Sequence, residues 1–333
     1  MGELADRRSE TSTRIRNLRG RLEAAEALIK GKACVFATGS YGRYESSSHS
    51  DLDLFIVGKN DGKRGSDGKE GSLLTRLDET CIKADLIRTI RSLKIRDFSD
   101  DGRFFTHYSV HDFTKTLGTP HDGVTNTFTA RLLLLLESYP LLEPAVYRMV
   151  TEEVISAYWR DYRDHRADFM PAFLANDILR LWRTFCVNYE ARTERMPIPR
   201  KAEGKLKNYK LKHSRLLTCY SALLYLLAIY RSHGTVSPTD AMAMINLTPT
   251  QRLEWLLGRR DLRHAHAAIV KLLRQYEEFL TVTNADKREL VGRFKNKKTS
   301  QSYMNAAYKF GDLIFEVLTK IGNESRFHRL LVV

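Results

Sequence analysis

The spacing of apolar residues divides the chain into a short mixed region followed by a long helical one. In residues 14–30, apolar side chains recur every three or four positions, which predicts an N-terminal helix. The runs ACVFAT at 33–38, LDLFIV at 52–57 and FFTHYSV at 104–110 are short and rich in β-branched and aromatic residues, as strands are. Helical spacing returns at 73–90, between the second and third runs.

The rest of the chain, after the Gly118-Thr119-Pro120 break, shows only helical spacing. Seven segments carry it: 124–138, 144–160, 171–192, 214–232, 249–257, 262–281 and 302–321. We therefore predict an α+β fold in which a small mixed-sheet lobe, residues 1–120, precedes a larger α-helical lobe, residues 121–333. The polar stretch 58–72 predicts a mobile loop, and we expect the sheet to end with the strand at 104–110.

Composition and charge narrow the class of partner. Hydrophobic residues make up 43% of the 333 positions and charged residues 28%, as in folded globular proteins. The formal charge of +14 favours a polyanionic partner, whether nucleic acid, nucleotide or acidic lipid. The four cysteines are widely separated, which fits a reducing compartment, and the N-terminal segment has no apolar leader. We therefore expect a cytoplasmic protein without a membrane span, in which the apolar run 216–230 forms a buried helix.

Two closely spaced carboxylates provide the first candidate chemistry. If LDLFIV is a strand, Asp51 and Asp53 lie on one side of it while Leu52, Leu54 and Ile56 pack on the other. Like charges so close together are unfavourable unless cations lie between them, and hard oxygen ligands select Mg²⁺ or Mn²⁺. The pattern predicts a divalent metal site.

A Gly-Ser turn provides the second candidate chemistry. Gly39 and Ser40 follow the preceding strand, where a turn that opens a helix offers N–H groups and a hydroxyl to phosphate oxygens. We expect this turn to hold the triphosphate of a nucleotide whose metal ions are bound by Asp51 and Asp53. Such an arrangement favours nucleotidyl transfer, in which metal ions activate an attacking hydroxyl and stabilise the departing pyrophosphate.

The segment 39–57 resembles the signature of the DNA polymerase β-like nucleotidyltransferase superfamily, in which a Gly-Ser pair, a spacer and Asp-x-Asp precede an apolar strand. The matching residues are Gly39, Ser40, Asp51 and Asp53. With Arg43, Glu45 and Ser50 placed before Asp51, it looks most like a bacterial branch that includes PII-uridylyltransferase-type domains. The motif is also similar in the oligonucleotide synthases of bacterial anti-phage systems.

The resemblance implies a metal-dependent enzyme with two bound Mg²⁺ or Mn²⁺ ions. It would transfer NMP or dNMP from a nucleoside triphosphate to a hydroxyl acceptor and release pyrophosphate. The implied product is an oligonucleotide or a nucleotide signal made without a template in antiviral defence, with an operon-encoded effector as a candidate partner. Two alternatives remain open: nucleotidylation of a protein, for regulation or as a toxin, and a catalytically inactive relative that binds nucleic acid.

The resemblance also suggests further site residues. Members of the superfamily commonly have a third metal-binding carboxylate, for which Asp97 and Asp101 are candidates, although both also suit a turn. The helical lobe of the resembling enzymes supplies a lysine and a hydroxyl to the triphosphate, and Lys212 with Ser214, at a predicted helix start, would suit that role.

Other polar positions have two interpretations each. Arg43 and Glu45 suit an ion pair within the turn and substrate contact equally well. The polar stripe on helix 171–192 fits an internal ion pair or the lining of a cleft. The basic and aromatic segment 293–303 fits a solvated surface or a track for a single nucleic-acid strand. The close histidine pairs, including His107/His111, indicate hydrogen bonding rather than a metal site.

Overall fold

The fold was analysed in a computed structural model that describes residues 2–64, 70–98, 102, 105–197, 200–322 and 325–332. The chain divides into two compact units, which we call the N-terminal unit, Glu3–Arg160, and the C-terminal unit, Asp161–Val333. The predicted α+β class is confirmed, with one small mixed sheet and a large helical part.

The N-terminal unit is built around a four-stranded sheet in the order β5-β2-β1-β6. The central strand β1 is antiparallel to β2 and β6, while β5 runs parallel to β2. A separate hairpin joins β3 and β4. The strands are β1 (Ala33–Thr38), β2 (Asp53–Gly58), β3 (Asn60–Arg64), β4 (Glu70–Ser72), β5 (His107–Ser109) and β6 (Tyr139–Leu142).

Eight helices of the N-terminal unit accompany these strands. They are α1 (Glu3–Arg19), α2 (Glu23–Ile29), α3 (Gly39–Gly42), α4 (Arg76–Ser92), α5 (Val110–Thr114), α6 (His121–Val124), α7 (Thr127–Glu137) and α8 (Pro144–Tyr158). The helix predicted over 14–30 is therefore two helices, which separate at Gly20 and Arg21.

Both faces of the sheet are covered, so its strands read as continuous apolar runs. On one face, Val35, Leu54 and Ile56 pack in a buried cluster with side chains of α1, α2 and α4. On the other, the ring of Phe36 stacks on Phe55 and meets Tyr147 of α8 edge-on. Every residue of β1 is buried, which fixes the position of the turn that follows it.

The expectation that the sheet ends near residue 110 is wrong, because β6 adds a fourth strand beside β1. This strand is short and contains Pro140, which pairs with Phe36 next to a register shift in the ladder. Proline lacks the N–H that a central strand needs, and an edge strand with an irregular register tolerates it. A short run containing proline gives little periodic signal directly after a helix.

The described part of the predicted mobile loop forms the β3–β4 hairpin, and residues 65–69 lie outside the described residues. Backbone pairing and polar contacts order these strands without apolar burial. The side chain of Asn60 accepts a hydrogen bond from the His111 N–H at 2.9 Å, and Gly62 adopts a left-handed backbone with φ of 70°. Composition alone did not reveal these contacts.

The boundary between the units falls at residue 160, later than the predicted position near 120. The helices and strand that follow residue 120 pack against β1 through β6 and Tyr147, and so they belong to the sheet-containing unit. Periodicity assigned these helices but could not show which core they join.

The C-terminal unit is helical throughout its described secondary structure. Its helices are α9 (Ala172–Thr193), α10 (Lys201–Lys210), α11 (Leu216–His233), α12 (Pro238–Ile245), α13 (Pro249–Leu257), α14 (Arg263–Val282), α15 (Lys287–Lys295), α16 (Lys297–Gly322) and α17 (Arg326–Val332). A π-helical turn, Leu211–Arg215, joins α10 to α11, and a 3-10 turn, Arg260–Leu262, precedes α14.

The apolar helix α11 forms the centre of this unit, as its composition predicts. Leu223, Leu224 and Leu226 are fully buried, and the ring of Tyr225 lies 4.2 Å from that of Trp255. None of the helices in the described parts of the chain combines the length and apolar content needed to cross a bilayer.

A buried ion pair gives a direct test of the N-terminal core. The Arg131 guanidinium binds Asp122 through two hydrogen bonds of 2.8 and 2.6 Å, and both side chains are fully buried. Arg131→Met would leave Asp122 charged and unpaired, so we expect a loss of about 3–5 kcal/mol in the free energy of unfolding, measured by urea denaturation. The control Arg88→Met removes an exposed pair and should cost at most about 1 kcal/mol. Equal effects of the two substitutions would contradict the account.

Candidate functional site

The Gly-Ser turn and Asp53 meet at one end of the sheet. Thr38, the last residue of β1, pairs with Asp53, the first residue of β2, and Gly39 begins the short helix α3. Gly39 has φ of 65°, and a Cβ added to it would lie 3.1 Å from Oδ2 of Asp53. The backbone therefore approaches the carboxylate closely, and glycine is the residue that allows both the conformation and the approach.

The two aspartates lie on the side of the β2 segment away from its apolar cluster. Leu52, Leu54 and Ile56 are buried together beneath the sheet, whereas Asp51 is exposed and Asp53 is half-buried. This is the alternation predicted from the sequence. Asp51 makes no ion pair with any residue in the described ranges. Burial raises the pKa of the Tyr41 hydroxyl, and the nearby negative charge of Asp51 raises it further.

Ser40 is the second residue of α3 and directly follows Gly39. Its side chain is half-buried, and its hydroxyl makes no hydrogen bond within the part of the chain that the structure describes. Its carbonyl accepts the N–H of Glu45 at 2.7 Å, which closes the turn. The hydroxyl is thus available to a ligand.

Sequence reasoning missed the buried carboxylate that supports this turn. Glu137 ends α7 and is almost fully buried. Its Oε1 accepts the Gly39 N–H at 3.2 Å, and its Oε2 accepts Nη1 of Arg43 at 2.8 Å. The Gly39 amide, which we expected to face phosphate, is therefore bound by protein. The only signal in the sequence was an acidic residue directly after the leucine run 132–136.

Arg43 and Glu45 form the ion pair that was one of their two interpretations. Nε of Arg43 lies 2.8 Å from Oε2 of Glu45, and both side chains are buried. Arg7 adds a bond of 2.9 Å from Nη1 to the Glu45 carbonyl. The charged groups of these residues make their contacts inside the N-terminal unit, and these contacts support the turn.

Asp97, one of the two candidates for a third carboxylate, pairs with an arginine instead. Asp97 accepts two hydrogen bonds from Arg91 at 2.9 and 3.2 Å in an exposed position. The backbone of Arg96 forms an isolated parallel β-bridge with that of Asp51. Successive residues of an extended segment point to opposite sides, so Asp97, one position later, lies on the side away from Asp51. Asp101 lies outside the described residues. Within the described ranges, no group of three or more His, Cys, Asp or Glu side chains is arranged to hold a metal ion.

Lys212 and Ser214 lie in the C-terminal unit, but the expected helix start there is wrong. They belong to the π-helical turn Leu211–Arg215, inside a continuous helical run from α10 to α11. The Ser214 hydroxyl donates to the Lys210 carbonyl at 2.9 Å, and Nζ of Lys212 lies 4.0 Å from the centre of the Tyr308 ring. No free N–H groups of a helix start accompany them.

His107 bridges two elements rather than joining a metal site. Its Nδ1 lies 3.0 Å from Oε2 of Glu79, and its Nε2 lies 3.0 Å from Oγ of Ser72. The order resembles a serine hydrolase triad, but the Ser72 hydroxyl also accepts the Leu74 N–H and lies where a Cβ on Gly58 would be. These contacts join β4 of the hairpin to β5 of the sheet and to α4.

The basic segment near the C-terminus lines a groove within the C-terminal unit. The groove has a volume of about 1000 Å³ and lies between α14 and the first half of α16. Five cations and one carboxylate, Glu278, line it, with the amides of Gln275, Gln301 and Asn305. The cations are Lys271, Arg274, Lys297, Lys298 and Lys309. None of the five forms an ion pair with a residue that the structure describes.

No family model, no curated protein and no solved structure matches the chain. Its chemistry must therefore be argued from the residues themselves.

Two glycines with nearly the same positive φ, Gly31 and Gly39, test the close approach to Asp53. Gly31→Ala and Gly39→Ala both place a side chain at positive φ, which costs about 1–2 kcal/mol, but a Cβ on Gly31 meets nothing within 4 Å. We expect both variants to lose similar stability in thermal denaturation. Only Gly39→Ala should weaken Mn²⁺ binding in the presence of a non-hydrolysable nucleoside triphosphate several-fold in calorimetry, because Asp53 must move by a few tenths of an ångström. Equal Mn²⁺ affinities in the two variants would contradict this geometry.

Proposed function

We propose that the chain is a metal-dependent nucleotidyltransferase that transfers a nucleoside monophosphate from an NTP or dNTP to a hydroxyl and releases pyrophosphate. The observation that carries this proposal is the close approach of the Asp53 carboxylate to Gly39, where an added Cβ would lie 3.1 Å from Oδ2 of Asp53. A phosphate-binding turn and a pair of carboxylates beside one another are what this reaction requires.

The residues present fit a Mg²⁺ or Mn²⁺ site of the kind that substrate completes. Mg²⁺ in phosphoryl-transfer enzymes is commonly held by one or two carboxylates together with substrate phosphates. Asp51 is exposed and forms no ion pair with a described residue, and its carboxylate oxygens are ligands that suit a hard cation. Asp51 and Asp53 would hold the metal, which when bound supplies charge neutralisation at the reacting phosphate.

The turn supports triphosphate binding through its side chain and its shape. The Ser40 hydroxyl can donate to a phosphate oxygen, because it has no partner among the described residues. The N–H of Gly39 is bound to Glu137 and is not offered to phosphate. Gly39 contributes to triphosphate binding only because it has no side chain to occupy the space beside Asp53. Arg43, shared between Glu137 and Glu45 below the turn, offsets part of this buried negative charge and so reduces its repulsion of an anionic ligand.

The basic groove between α14 and α16 supports an oligonucleotide as acceptor or product. From Lys297 to Lys309 the helix spans about 18 Å at ~1.5 Å per residue. This length is several times the ~3.4 Å axial rise per phosphate of a strand in duplex geometry, so the groove can contact more than one phosphate. Lys297 and Lys298 occupy the N-terminal end of α16, where the helix dipole disfavours cations, so an anionic ligand would relieve the repulsion.

Pyrophosphate release tests the proposed reaction. We expect the protein, incubated with each NTP and dNTP and an oligonucleotide primer, to release pyrophosphate only when Mg²⁺ or Mn²⁺ is present. Asp51→Asn and Asp53→Asn should each reduce the rate by about 10²–10³-fold, because each removes a metal ligand. Asp85→Asn, in an exposed ion pair on α4, should leave the rate unchanged.

Labelled substrates identify the acceptor in the same experiment. Label on the oligonucleotide supports the proposal as stated, whereas label on a protein band would replace the oligonucleotide with a protein hydroxyl as acceptor. Absence of pyrophosphate with every nucleotide and both metals, from folded protein with primer present, would refute the catalytic assignment.

The salt dependence of oligonucleotide binding tests the groove. If all five cations contact phosphates, the slope of log K against log salt for a single strand should be about −3.5. Replacing Lys297, Lys298 and Lys309 with glutamine should reduce the magnitude of this slope by about 2. The matched control replaces the exposed Lys30, Lys63 and Lys115, in the N-terminal unit, and removes the same charge. Equal slopes for the two triple variants would show that the groove does not bind the strand.

A further inference from the structure

A second concave site in the C-terminal unit is lined by arginines from two helices. Arg180 and Arg183 of α9 face it together with Arg326 and Arg329 of α17, and its volume is about 760 Å³. Each pair is spaced by three residues, which places both members on one face of the helix. We call this site the arginine pocket. It is lined by residues other than those of the basic groove.

Two of the four arginines that line the pocket, Arg183 and Arg326, carry charges that no ion pair in the described ranges balances. No carboxylate is among the lining residues in the described ranges, and Asp177, which precedes Arg180 by three positions, is buried outside the lining. Arg183 and Arg326 are exposed and form no ion pair with a described residue. Like charges gathered around a concavity repel one another, and an anion placed between them removes that penalty.

The type of cation and the other lining residues define the class of anion. The guanidinium group presents a planar fork of donors that binds phosphate through two hydrogen bonds, which a lysine cannot do. The amides of Asn176 and Asn188 add donors and acceptors. Leu179, Val187 and Leu330 supply an apolar wall, which a purely ionic ligand would not use.

We propose that the arginine pocket binds a nucleotide-like ligand, with two or more phosphates bound by Arg183 and Arg326 and a planar base against the apolar wall. Its lining includes none of Gly39, Ser40, Asp51 or Asp53, the residues of the proposed reaction. The inference therefore goes beyond the proposed function and does not rest on it. A ligand held here would act as an effector or as a second nucleotide.

Calorimetry without divalent metal, compared between variants of the pocket arginines, tests this pocket. We would titrate ATP and inorganic tripolyphosphate, in EDTA, into the full chain carrying Asp51→Asn and Asp53→Asn, so that metal-dependent binding at the proposed active site is removed. We expect both probes to bind, and ATP to bind more tightly, because only ATP has a base to place on the apolar wall. Adding Arg183→Glu and Arg326→Glu should weaken ATP binding at least tenfold.

Two controls keep the result specific. Arg192→Glu reverses the charge of an exposed arginine on the same helix, outside the pocket, and should leave ATP affinity within twofold. Arg183→Lys with Arg326→Lys keeps the charge, and a loss of affinity there supports recognition by the guanidinium forks. Circular dichroism establishes that each variant is folded.

Three outcomes would overturn the proposal: no binding of either probe in EDTA, equal weakening by Arg192→Glu and by the double reversal, or equal affinity for ATP and tripolyphosphate. Either of the first two results would show that the arginine pocket does not bind the ligand. The third would show that the ligand gains nothing from a base. Pyrophosphate release in the unmodified protein is measured separately, so failure of this proposal and failure of the proposed reaction are distinguishable.

Discussion

The site depends on one buried carboxylate. Glu137 binds the amide of Gly39 and the guanidinium of Arg43, and Arg43 in turn binds Glu45. A charge buried without partners is costly, so these contacts hold the end of α7 and the turn after β1 in a fixed relation. Because β1 and β2 are paired from Thr38 and Asp53 onwards, the same contacts fix Gly39 beside the Asp53 carboxylate. The turn is therefore set by the protein before any ligand binds, which is the preorganisation that catalysis by charge stabilisation requires.

The candidate chemistry follows from the alternation of side chains along one strand. Leu52 and Leu54 are held in the apolar cluster, which forces Asp51 and Asp53 to the other side. With two carboxylates and no third in the described ranges, the protein alone offers a metal ion few ligands. Substrate phosphates would complete the coordination, so metal and nucleotide are expected to bind together rather than in sequence.

The sequence predicted the parts of this arrangement that arise from local patterns. Alternation placed Asp51 and Asp53, and helical spacing located α11 and most of the helical part. It could not predict β6, because a four-residue edge strand with a proline has no periodic signal, nor the role of Glu137, because its partners lie more than ninety residues away. The position of Asp97 was unpredictable for the same reason: its pairing with Arg91 depends on how a turn closes, and its side depends on the register with Asp51.

The C-terminal unit has two concave cationic surfaces, and the difference between their lining residues predicts a different ligand for each. Lysines and amides line the basic groove, which suits a repeated backbone charge, while arginines and apolar side chains line the arginine pocket, which suits a compact phosphate ligand. The central claim, however, concerns the turn and the two aspartates. Its most direct test is a crystal structure with Mn²⁺ and a non-hydrolysable nucleoside triphosphate, with manganese located by anomalous scattering. We predict manganese bound by Asp51 and Asp53 and a triphosphate that contacts Ser40; manganese elsewhere, or a triphosphate bound away from Gly39 and Ser40, would contradict the account.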